Sequence, residues 1–369
     1  MEQPRINVKF VSQKINKIRW RPRLKQSMQQ SDTFVTGSWD DEENKVCLWR
    51  QQPLLDDGSR NGMEEELLLR EPELLCEARH PGDVSDLCFL TQDHIATASS
   101  TGSVLLYKHH TITQRVEAVQ EWPDLHISGG RRCPCTCLAT YGEDTMLSGG
   151  EDGRIAMLSP GQAAPVRVLE KADSCTINAL AFLKQSEVLT VNSFGQLKLF
   201  DFRQNTDGPA QIFSATDDHW SLLCVDKHPG QLHVVATGSQ DGTLTVWDLR
   251  QNRFPMTTLD AHQSSMWEVR FHPYHAEHLF TCSEDGSLWH WDASAHASLV
   301  ASSGRPGGDE GPSGQQSPWL GLEASPKLEI NSLICNKSLS VNSLDIEGGL
   351  LLCGTDSENI YTLSMPHLS

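Results

Sequence analysis

The chain repeats itself, and the repeat limits what it can fold into. VVATGSQDGTLTVWDLR (234–250) and LFTCSEDGSLWHWDAS (279–294) share one frame. Each reads apolar pair, Thr, small residue, Ser, polar residue, Asp-Gly, Ser or Thr, alternating run, Trp-Asp. Five weaker copies follow it: FVTGSWDDEENKVCLWR (34–50), IATASSTGSVLLYKH (95–109), MLSGGEDGRIAMLS (146–159), VLTVNSFGQLKLFDFR (188–203) and LLCGTDSENIYTLS (351–364). Turn glycines at 102, 153, 195, 242 and 286 are spaced by 51, 42, 47 and 44 residues. Repeats of roughly 40–45 residues with four strands each are the signature of propeller blades.

The physics of one copy is that of a hairpin. Thr243 to Trp247 alternates between two faces, as a half-buried strand does. Asp241-Gly242 and Asp285-Gly286 supply tight turns in which Gly tolerates positive φ. Upstream runs such as MWEVRFHP (266–273), SLLCVDKHP (221–229), INALAFL (177–183) and VSDLCFL (84–90) read as a further strand, and His-Pro ends two of them. A lone blade cannot bury both faces, whereas seven twisted sheets around an axis can. The expectation is an all-β, seven-bladed propeller spanning residues 1–369. Its ring is closed by an N-terminal strand, NVKFVSQ (7–13), on the outside of the last blade.

Three insertions interrupt the frame. Residues 51–79 carry an acidic, leucine-bearing run that reads as an extra strand or short helix. Residues 110–134 include EWPDLHISGGRRCPC. Residues 295–327 are rich in Ser, Gly and Pro and read as disordered, with Trp319-Leu320 as an apolar exception that docks on the ring or on a partner.

Composition removes several function classes. The net charge of −18 argues against phosphate-neutralising contact with nucleic acid or an anionic membrane. The one dense basic run, KINKIRWRPRLK (14–25), reads as a strand with charged edges. The 11 cysteines lack a framework spacing, and several sit in apolar runs, which suits a reducing compartment, cytosol or nucleus. The N-terminus has no apolar signal core, and no apolar run is long enough to span a bilayer. Neither a nucleophile elbow nor a phosphate-binding glycine loop is present, so the chain does not read as an enzyme and calls for no cofactor or small-molecule substrate.

The chemistry-bearing residues fit the fold better than a site. His262, Thr281 (or Ser283), Asp285 and Trp291 stand where a buried hydrogen-bond tetrad would lock one blade, and His80 precedes Phe89 as His262 precedes Phe271. In RRCPCTC (131–137), the spacing of Cys133, Cys135 and Cys137 is unlike structural zinc, although His126 is near. Cys135 and Cys137 read as the start of an inner strand. His290 alternates with Trp289 and Trp291, so it points to the opposite face, as a surface or partner contact. Trp39, Trp319, His290 and the 64–78 run are the candidate partner contacts.

The Trp-Asp endings and Asp-Gly turns resemble WD-repeat β-propellers along nearly the whole chain. KFVSQKINKIRWRP, TGSWDDEEN, LTVNSFGQLKLFDFRQ, HVVATGSQDG and EHLFTCSEDGSLWHWDAS resemble the 43-kDa WD-repeat nucleoporins of the Y-shaped complex in the nuclear pore outer rings. The chain departs from that pattern in the 110–134 and 295–327 insertions. The resemblance implies a non-catalytic scaffold subunit at the nuclear envelope. It would dock on an α-solenoid nucleoporin, serve pore assembly and the transport of protein and mRNA, and visit kinetochores in mitosis. A competing likeness is in LFDFR (199–203) and VWDLR (246–250), which resemble the box by which WD-repeat receptors join a cullin ubiquitin ligase. Arg203 and Arg250 would make that contact, or else cap their own blade edges.

Overall fold

The computed structural model describes residues 4–23, 30–52, 70–204, 206–214, 220–251, 254–295, 317–320, 328–335, 338–365 and 368. Seven four-stranded antiparallel sheets form the blades of a propeller. Blade 1 runs outward through Ile15–Trp20, Thr33–Ser38, Lys45–Arg50 and Glu73–Arg79. Blade 2 begins with Val84–Phe89 and ends with Arg115–Trp122, and blade 3 begins with Cys135–Tyr141 and ends with Arg167–Leu169. Blades 4, 5 and 6 begin with Ile177–Lys184, Leu222–Lys227 and Met266–Phe271, and end with Gln211–Ser214, Thr257–Asp260 and Glu329–Ile334. Blade 7 comprises Val341–Glu347, Leu350–Thr355 and Asn359–Ser364, with Arg5–Phe10 outside them.

That last pairing joins the two ends of the chain. Val8 lies opposite Tyr361 and Lys9 opposite Ile360. The closing strand is Arg5–Phe10 rather than 7–13. Val11 N still donates to Glu358 O at 2.9 Å, but Ser12 turns to a φ of 56° and sends the chain toward blade 1.

Blades pack closely where the second strand keeps a small residue facing the next inner strand. A Cβ at Gly354 would overlap Ile15, one at Gly37 would overlap Val84, and one at Gly238 would overlap Met266. Blade 6 has Cys282 in this place, packed in the cluster that holds Val341 and Leu344 of blade 7. Most of the core is this set of inter-blade clusters, in which Leu, Val and Ile from one sheet meet those of its neighbour. Interior packing at such density leaves no room for an added methyl without a shift.

The insertions supply strands as well as loops. Glu73–Arg79 within 51–79 is the outer strand of blade 1, while 53–69 lies outside the described residues. Arg115–Trp122 within 110–134 is the outer strand of blade 2, and Ile127–Ser128 pairs with Arg131–Arg132 in a small hairpin. Of 295–327, only Ala295 and residues 317–320 are described, so the expected disorder falls outside the described residues.

Candidate docking surfaces

The expected tetrad of blade 6 forms, with one residue added. Trp291 Nε1 donates to Thr281 Oγ1 at 3.0 Å, and Thr281 Oγ1 lies 2.8 Å from His262 Nε2. His262 Nδ1 is 2.8 Å from Ser287 Oγ, which donates to Asp285 Oδ1 at 2.5 Å. Ser287 therefore relays between His262 and Asp285, whose direct separation is 3.5 Å. Burial pushes His262 down to about 4, so the ring is neutral at pH 7 and needs one donor and one acceptor partner. Thr281 O–H and Ser287 Oγ meet that need. Burial acts to raise the Asp285 carboxyl, but bonds from Ser287 and Gln263 N hold it below the usual range.

Blades 2 and 3 reuse this device. His80 bonds Thr97 Oγ1 at 3.0 Å, and Tyr107 takes an aromatic place nearby, its hydroxyl donating to Arg79 O. His126 bonds Asp152 Oδ1 at 2.9 Å and Ser148 Oγ at 3.1 Å. His126 is thus the lock of blade 3, with both ring nitrogens taken by Asp152 and Ser148. Cys135 and Cys137 do lie on the inner strand of blade 3, and burial pushes the Cys137 thiol up to about 12. Among the described residues, no group of three or more His, Cys, Asp or Glu side chains is arranged to hold a metal ion. Nor is any helix long and apolar enough to cross a membrane.

The inner channel carries residues that sequence reasoning missed. Glu268 of blade 6 is buried and accepts from Lys17 Nζ at 2.8 Å and from Arg19 at 2.6 and 3.1 Å, both on blade 1. It also accepts from Ser343 Oγ and Leu344 N of blade 7. One carboxylate thereby ties three blades across the closure. Burial acts to raise Glu268, yet the Arg19 and Lys17 charges hold it well below the usual carboxylate range. Asp86, Asp226 and Asp345 each accept a backbone N–H from the following blade, at Leu138, Phe271 and Trp20. The basic run at 14–25 does contain a strand, but Lys17 and Arg19 point to this channel instead of forming a solvated edge. The signal available was a charge inside the inner strands of blades 1, 2, 5, 6 and 7.

The candidate contacts fare differently. His290 is a correction: it is buried, 3.0 Å from His278 Nδ1 and stacked on Phe280. It does point away from Trp289 and Trp291, but that face is covered by blade 7. Trp319 is a second correction as a partner contact. It is fully buried in the seam between blades 5 and 6, edge-on to Phe271, with Nε1 donating to Ala276 O at 2.7 Å. Trp39 is half-buried and clamps blade 1 to blade 7 through Asp356 Oδ1 at 3.0 Å. Arg203 and Arg250 are exposed, each forked onto its own blade's carboxylate. Nε and one Nη bond Asp201 at 2.9 and 2.8 Å in the first case and Asp248 at 2.9 and 2.7 Å in the second. The Arg203 fork holds Asp201 down to about 2. Both arginines cap blade edges. Sequence reasoning also missed Ile6, Val8 and Phe10, which the closing strand exposes along one face.

Known proteins match this architecture. The WD domain, G-beta repeat family matches residues 209–248 and 253–292. Each match takes the outer strand of one blade with three strands of the next, the same offset that leaves Arg5–Phe10 to complete blade 7. Nucleoporin Nup43 of Mus musculus is 46% identical over 96% of this chain and 97% of its own length. The chain belongs to the Nup43 nucleoporin family. Nucleoporin Nup43 of Homo sapiens matches to the same extent, and nuclear pore complex protein nup43 of Dictyostelium discoideum is 25% identical over 41% of this chain and 36% of its own length. The sequence-based recognition of a WD-repeat nucleoporin and of the seven-bladed fold therefore holds.

Proposed function

We propose that the chain is a non-catalytic scaffold subunit of the Y-shaped outer-ring complex of the nuclear pore, docking on an α-solenoid nucleoporin and other subunits of that complex. On this reading it resides at the nuclear envelope in interphase and at kinetochores in mitosis, and serves pore assembly and the transport of protein and mRNA. Its partners are proteins, not nucleic acid, membrane or a small molecule. The observation that carries the reading is the near-full-length identity to two mammalian Nup43 proteins. The side-chain chemistry agrees with it. Histidines and carboxylates that would draw attention in an enzyme, such as His262, His126 and Asp86, are taken up by blade locks and inter-blade ties.

A tagged pull-down from interphase extract, read by mass spectrometry, tests the proposal. Stoichiometric recovery of Y-complex nucleoporins is the expected result. Recovery of a cullin adaptor instead, lost in an Arg203→Ala/Arg250→Ala variant, would overturn it in favour of a ubiquitin-ligase receptor. The exposure of both guanidinium groups keeps that second reading testable.

A further inference from the structure

Neighbouring blades are sealed at the rim in different ways. Between blades 2 and 3, Trp122 Nε1 and Gln120 Nε2 donate to Gln162 O at 2.9 and 2.7 Å. Between blades 3 and 4, Arg167 lies over the Phe202 ring and donates to Phe202 O and Gln204 O. Between blades 5 and 6 the seal is Trp319, whose carbonyl lies 3.4 Å from Thr257 Oγ1. The seam between blades 4 and 5 has no such seal among the described residues. Gln211 pairs with Leu199 there, in the register that Arg167 holds with Met157 and Thr257 with Val246. Beside it opens a groove of about 600 Å³, bordered by Ile212, Leu249, Arg250 and Phe254.

We propose that this groove is a docking site for a short segment of a partner protein that presents a bulky aromatic side chain with a carboxylate beside it, seated as Trp319 is one seam on. The two seams share a backbone arrangement at the end of the third strand. Leu249 and Ala293 each follow the Asp that ends the third strand of their blade, and each donates its N–H to a carbonyl in the preceding loop, His233 O and Glu277 O. Ala293 packs in the cluster that holds Trp319. In the open seam Leu249 packs against the Phe213–Trp247 cluster, while Ile212 and Phe254 beside it are 41% and 69% exposed. Aromatic anchors in such clefts dominate many interfaces. The charge pattern selects the neighbour of the aromatic. Among the described residues bordering the groove, Arg250 is the one that carries charge, on a chain of net charge −18. Its Nε and Nη2 are held by Asp248, whose side chain is fully buried, while its own side chain is 57% exposed. A carboxylate on the occupant meets Nη1 without displacing that fork.

The proposal rests on the scaffold reading, since it names one docking surface of that scaffold. Its test uses the full chain and a fluorescein-labelled peptide copying residues 315–323, QQSPWLGLE, which carries a tryptophan with a glutamate four residues on. The chain's own Trp319 already fills the neighbouring seam. Saturable binding by anisotropy is expected, at least about tenfold weaker for an Ile212→Asp/Phe254→Asp variant. Ile112→Asp, at an exposed turn of blade 2, should leave binding unchanged. Should the double variant melt early, Phe254→Asp alone gives the same readout at the more exposed position. Absent binding, or equal binding by wild type and variant, overturns the proposal. The pull-down decides the scaffold reading separately, so the two can fail independently.

Discussion

Replacing Glu268 with Gln should weaken the ring where its two ends meet. The substitution keeps the side chain's shape and removes its charge. Lys17 and Arg19 then face a neutral amide inside the channel, with Asp86 3.8 Å from Arg19 as the remaining near anion. Breaking a buried ion pair by neutralising one partner costs about 3–5 kcal/mol, and the residual Asp86 contact favours the lower end, about 3 kcal/mol. Unfolding entropy of about 2.1 cal/mol/K per residue over 369 residues is about 0.8 kcal/mol/K, so Tm should fall by about 4 °C. The pH dependence tests the cause. The folded state holds Glu268 below its ordinary value of 4.5, so its stabilisation is fully present above that pH. As pH falls below it, wild type loses up to about 1.4 kcal/mol per unit while the Gln variant does not titrate here. Calorimetry at pH 7 and at steps below 4.5 should therefore show the gap between the two proteins narrowing. A gap that is absent at pH 7, or constant down to pH 3.5, refutes the ionic tie.

Other perturbations probe closure, packing and the blade lock. Deleting residues 1–12 removes the outer strand of blade 7 and should abolish the cooperative melt of the intact ring; a truncated chain that melts like wild type contradicts closure by that strand. Gly354→Ala places a methyl against Ile15 and should cost about 1–3 kcal/mol by denaturant titration. Gly208→Ala, with nothing nearby, should be close to neutral, and equal effects at the two sites would refute the packing argument. Thr281→Val leaves Trp291 Nε1 and His262 Nε2 without their shared hydroxyl and should cost about 1–3 kcal/mol. Unchanged stability in that variant would mean the lock contributes nothing.

What the sequence disclosed was local. Asp-Gly turns, Trp-Asp endings and alternating runs are short-range signals, and they located the middle strands of most blades. Outer strands such as Arg167–Leu169 were harder, because three residues at a sheet edge carry little pattern. The tetrad was legible because its members recur at fixed offsets, but Ser287 was not, since a hydroxyl in a turn has many other uses. The Glu268 tie joins residues about 250 positions apart, and nothing local pairs them. Alternation put His290 on the correct face of its strand, yet in a propeller both faces of a blade are covered. Trp319 stood out from its polar insertion, and only the fold could choose the ring over a partner.

We propose above that this propeller is a scaffold subunit of the nuclear pore outer ring. The direct measurement is reciprocal: isolate the Y-shaped complex through another of its subunits and quantify this chain against that subunit by isotope-dilution mass spectrometry. A fixed, near-integral ratio that survives a high-salt wash is expected. A trace amount that varies between preparations would contradict it.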